Sequence, residues 1–86
     1  MRSIGGGDNI EVRHFMDDEH QITIGLDRSL WPLIQRIANQ AAADNQWLGA
    51  KGSEWEYLNI WIVGLVAQCP RGVEAHEWIT DTVNRS

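Results

Sequence analysis

The stretch from Ser53 to Pro70 constrains this chain more than any other. It opens with Ser53-Glu54-Trp55-Glu56, an S-x-x-E capping box in which the Ser and Glu side chains satisfy two free amides of a helix start. It closes at Pro70, which biases Cys69 away from helical angles. The spacing predicts a helix from 53 to about 68. Trp55, Tyr57, Leu58, Ile60, Trp61, Ile62, Val63, Leu65, Val66 and Ala67 cover almost its whole circumference. A helix apolar all round is buried on all sides. The nearly apolar run from Ile60 to Ala67 is far shorter than the ~20 residues of a membrane span, so it belongs in a protein core. Yet the chain has only 86 residues, enough for one domain that buries roughly 60–65% of its unfolded surface. Covering such a helix calls on every other element and on a second copy of the chain, for which a closed homodimer is the commonest solution.

The covering elements can be read from periodicity. Residues 10–15 alternate, with Ile10, Val12 and His14 opposed by Glu11, Arg13 and Phe15, and residues 21–26 alternate with Ile22, Ile24 and Leu26 on one side. Directly opposed residues of an antiparallel pair share a face. Placing both apolar sets together pairs Ile10 with Leu26, Val12 with Ile24 and His14 with Ile22, leaving Asp17-Asp18-Glu19 as a three-residue loop. A first helix is predicted from Ser29, with Asp27 or Ser29 as cap and Pro32 in the tolerant first turn. Its stripe is Leu30, Leu33, Ile34, Ile37, Ala38 and Ala41, and Asp44-Asn45 is its exit. The linker that follows holds Trp47-Leu48, expected to fold back on the core. A third helix is predicted from about Arg71 to Asn84, with Ala75, Trp78, Ile79, Thr82 and Val83 inward and Glu74, Glu77 and Asp81 toward water.

The resulting fold class is α+β: an N-terminal antiparallel β-hairpin packed on about three α-helices. Residues 1–8, with Gly5-Gly6-Gly7, are expected to be a flexible leader, and residues 9–86 a single globular domain. The predicted core is Val12, Ile22, Ile24, Leu26, Leu33, Ile34, Ile37, Leu58, Ile62, Leu65, Val66 and Ile79.

Charge and cysteine content narrow the function classes. Twelve Asp/Glu against seven Lys/Arg give a net charge of −5, and the basic residues are scattered singly. Direct nucleic-acid binding is disfavoured, because phosphate contact needs a basic footprint. Cys69 is the one cysteine, so a disulfide scaffold is excluded, and with no apolar signal stretch at the N-terminus the expected compartment is the cytoplasm.

No residue set meets the requirements of catalysis. Gly5-Gly6-Gly7 has neither the preceding strand nor the following Lys-Ser/Thr of a phosphate loop. Cys69 and His76 lack an orienting third group. His14 and His20 flank Asp17-Asp18-Glu19, but the spacing matches no zinc signature and reads as a solvated acidic tip. No enzyme activity and no cofactor or metal are therefore expected. Of the five Trp, Trp55, Trp61 and Trp78 are assigned to the core, and Trp31 and Trp47 to a binding surface, where Trp is enriched among residues that dominate interface energy.

These features point to a small acidic protein-binding module, an inhibitor or adaptor of the phage or mobile-element kind, that occupies a basic surface on another protein. The candidate contacts are Asp17, Asp18, Glu19, Trp31, Trp47, Glu74, Glu77 and Asp81. A minor structural or assembly subunit has the same physics. The order of strand, helix, linker and helix over residues 21–68 also resembles the ribbon-helix-helix repressors. That resemblance is architectural and implies a DNA-binding dimer whose paired strands enter the major groove. Here the outward strand residues would be Gln21, Thr23 and Gly25, the linker is long, and a hairpin partner exists within the same chain.

Overall fold

A computed structural model describes residues 9–47 and 52–85. The expected leader, residues 1–8, and Leu48 of the linker lie outside this range. The elements are β1 (Ile10–Asp17), β2 (His20–Asp27), α1 (Leu30–Asn45), α2 (Glu54–Ala67) and α3 (Ala75–Asn84). The two strands form an antiparallel hairpin at the N-terminal end, and three helices follow, an α+β fold in one domain. β1 lies on α2, and β2 lies on α1 and α3, so the hairpin spans all three helices.

The hairpin register differs from the expected one. The loop is the two-residue Asp18-Glu19, with Asp18 in the left-handed region at φ 53°, a conformation Asp tolerates better than most residues. Glu11 consequently opposes Leu26, Arg13 opposes Ile24, and Phe15 opposes Ile22. Shifting the partner by one residue moves a strand's whole inward set to the other face. Phe15 is 1% exposed, whereas Val12, expected in the core, is 53% exposed, and Ile10 also faces outward. The trade is possible because the two charged residues beside Phe15 neutralise each other. Arg13 Nε donates to Glu11 Oε2 at 2.7 Å, and the Arg13 guanidinium lies 5.0 Å over the Trp31 ring. His14 and His20 now sit on opposite faces, with His14 Nδ1 3.0 Å from Thr23 Oγ1.

Helix α1 is turned by one position relative to the predicted stripe. Trp31, Ile34, Ala38 and Ala42 are its buried residues, Leu30 and Ile37 pack at the edge, and Leu33 is 42% exposed. Trp31 causes the rotation. Its ring meets Phe15 at 5.8 Å between centroids, a tilted contact, and its Nε1–H donates to the Glu11 carbonyl at 2.9 Å. Neither Asp27 nor Ser29 caps the helix amides directly. Asp27 Oδ1 instead accepts from Ser29 N (2.9 Å) and Ser29 Oγ (2.7 Å), fixing the turn that enters the helix.

Helix α2 begins as its sequence requires. Glu56 N donates to Ser53 Oγ at 3.3 Å and Ser53 N donates to Glu56 Oε1 at 2.9 Å, a complete capping box. Its inner face, Leu58 and Ile62, is fully enclosed, with Trp61, Leu65 and Val66 packed partly against the core. Burial stops there. Trp55, expected inside, is 56% exposed, and Ile60 is 36% exposed. Helix α3 starts four residues later than predicted, because Pro70–Val73 form a turn in which Gly72 takes φ 82°. Ile79 and Val83 are its buried residues. Trp78 Nε1–H donates to the Leu65 carbonyl at 3.0 Å, adding a second hydrogen bond to a carbonyl that also accepts from Gln68 N at the end of α2.

Candidate interaction surface

The eight candidate contact residues fall in four places. Asp18 and Glu19 are exposed in the hairpin turn, and Asp17 is half-buried at the end of β1. Trp47 is half-buried just after α1. Glu74, Glu77 and Asp81 are exposed, at the spacing i, i+3 and i+7 that places them on one side of α3. Trp31 is 0% exposed, so it is a core residue and leaves the set of surface candidates.

A contact that leaves no periodic trace in the sequence ties the end of β1 to α2. Asn59 accepts from Met16 N at 3.0 Å and donates from Nδ2 to the Met16 carbonyl at 2.9 Å. Glu56 is three residues before Asn59, one turn along the helix. The acids of the turn and Glu56 therefore flank one clasp. The α3 acids lie elsewhere, because Glu74 and His76 border the open end of the hairpin near Ile10 and Gly25.

The electrostatics of α3 are lopsided. An acid near a helix N-terminus is stabilised by the helix dipole, which accounts for Glu74 before the first turn and Glu77 within it. Asp81 is in the C-terminal half and gains nothing from the dipole. Among the described residues, none of the three has an arginine or lysine at ion-pair distance, and His76 Nε2 lies 3.9 Å from Glu77 Oε2. Arg85 instead lies over the Trp78 ring at 5.7 Å.

The reactive groups weighed for chemistry are occupied or apart. The Cys69 thiol donates to the Val73 carbonyl at 3.2 Å, within its own turn. Among the described residues, no three His, Cys, Asp or Glu side chains are grouped to hold a metal ion, and no helix is long and apolar enough to cross a membrane.

What the surface does offer is apolar area. The outer side of β1 presents Ile10, Val12 and Met16, and the outer side of α2 presents Ile60, Gly64 and Ala67 beside half-buried Val63. A groove of about 360 Å³ runs beside this second strip, between Trp47, Trp61, Leu65 and Gly64. Comparison of the chain with protein-family models, with curated protein sequences and with solved structures finds no match.

Proposed function

We propose that this chain is a small acidic protein-binding module that acts by occupying a basic surface on a partner protein, with no chemistry of its own. It would serve as an inhibitor or adaptor of the kind phage and mobile elements deploy. The observation that carries the reading is the exposed side of α3. Glu74, Glu77 and Asp81 share it with no arginine or lysine at ion-pair distance among the described residues, and the dipole explains only two of them. An exposed acidic strip on a protein of net charge −5 raises encounter rates with a positively charged surface and steers its orientation.

The test begins with partner capture from the native host and continues with the purified pair. Association should weaken steeply as salt rises, because the steering charges are exposed. The E74Q/E77Q/D81N variant should bind at least tenfold more weakly, chiefly through a slower on-rate, and D17N/D18N/E19Q should show whether the hairpin turn contributes. Unchanged affinity in both variants would sink the electrostatic reading. A salt-sensitive shift of labelled duplex DNA by the wild-type chain would favour the DNA-binding alternative instead.

A further inference from the structure

The outer face of α2 poses a different question from the acids, and its answer does not rest on them. Ile60, Val63, Gly64 and Ala67 recur at i, i+3, i+4 and i+7, a single continuous strip. On the other sides of the helix lie α1, β1 and α3. A Cβ added at Gly64 would meet nothing within 4 Å, so the middle of the strip is open space.

We propose that a second copy of this chain covers this face, with the two α2 helices antiparallel about a two-fold axis passing between Val63 and Gly64. The sequence is complementary to itself in that arrangement. Ile60 of one copy opposes Ala67 of the other, and Val63 opposes Gly64, so a large side chain meets a small one at each level. One turn further out, Glu56 comes level with Arg71, in the turn that follows the helix. Both are exposed. Glu56 uses Oε1 in the capping box and keeps Oε2 for a partner. The antiparallel sense also sets the helix dipoles head to tail. A parallel pair would instead bring the Glu56 side chains of both copies together. Charge therefore selects the occupant and its direction, and the groove beside Gly64 receives the edge of the incoming helix. A strip two turns long is smaller than the ~800 Å² per partner of a standard interface, so the dimer should be concentration-dependent, with a Kd on the order of ten micromolar.

Sedimentation of the full chain between about 1 and 200 μM tests this. The wild type should shift from monomer to dimer across that range. Gly64→Leu should stay monomeric throughout while melting higher than wild type, since a helical Gly is replaced by a good helix former in open space. That rise distinguishes a blocked face from a misfolded chain. Arg71→Glu should weaken the dimer at least tenfold without changing the melting temperature of dilute protein. A wild type that stays monomeric at 200 μM overturns the proposal, including the case in which the α2 face then binds an unrelated protein. A dimer that survives Gly64→Leu overturns the choice of face, and one indifferent to Arg71→Glu overturns the antiparallel register. None of these variants alters Glu74, Glu77 or Asp81, so failure here leaves the acidic-module reading standing.

Discussion

Helices α2 and α3 each enclose two side chains completely or nearly so, Leu58 and Ile62 in one, Ile79 and Val83 in the other. What surrounds those pairs differs. In α3 the exposed positions are His76, Glu77, Asp81 and Asn84, so water finishes the helix. In α2 they are Glu54, Trp55, Glu56, Ile60, Gly64 and Ala67, and beyond the first turn water finishes it badly. Two helices with the same hold on one core thus face opposite demands on the outside. The lesson is that burial inside a chain this small is set by the room available in the core, whereas apolar content beyond that room reports on something outside it.

The largest test of this contrast lies within α2. Ile62→Ala should cost about 2–5 kcal/mol in urea denaturation, because Ile62 is fully enclosed and the cavity cannot collapse completely. Ile79→Ala should fall in the same range. Ile60→Ala, two residues from Ile62, should cost less than about 0.5 kcal/mol when measured on dilute protein. Equal losses at Ile60 and Ile62 would break the distinction between the two faces.

Next come the helix starts. Ser53→Ala removes a complete capping box and should destabilise the fold by about 1 kcal/mol. Glu74→Ala, at the corresponding position of α3, removes a side chain that makes no capping hydrogen bond and should be close to neutral. A large effect at Glu74 would mean that the dipole interaction does more there than an exposed charge usually can.

The smallest effect concerns Asp27. The backbone and side-chain hydrogen bonds from Ser29, with the nearby Arg28 charge, hold its carboxyl below the usual aspartate range. A lowered folded-state pKa stabilises the fold above the unfolded value, and that contribution fades as pH falls through the lowered one. Asp27→Asn should therefore lower the melting temperature slightly at pH 7 and leave it unchanged once the pH is well below the lowered pKa.

Much of this molecule was legible in its sequence, and the exceptions around the hairpin have one origin. The α+β class, the capping box, the inner residues Leu58 and Ile62, the apolar face of β2 and the exposed α3 acids all follow from local spacing. The inward face of β1 does not. Ile10, Val12 and Met16 outvote Phe15 in any count by alternation, and Glu11 and Arg13 look like solvent-facing residues. Their inward placement depends on an ion pair and on a Trp ring some twenty residues away, neither of which leaves a periodic trace. Trp31 itself displaces Leu33 for the same reason. Its ring fills a space that exists only once the hairpin is in place. The surface candidates fared accordingly: acids at helical spacing were found by pattern, and a Trp near a helix start was misplaced by it.

The clasp between Met16 and Asn59 bears on the company this protein keeps with itself. A two-stranded sheet has two raw edges, and an unpaired edge is a template on which further strands can polymerise. At Met16 the amide of Asn59 offers one donor and one acceptor at 2.9 and 3.0 Å, imitating the neighbour that a growing fibril would supply. A single side chain from α2 thus acts as a stopper at the hairpin tip, beside the outward-facing Met16. It guards the strand against open-ended stacking while leaving the outer face of the helix clear for a closed pair.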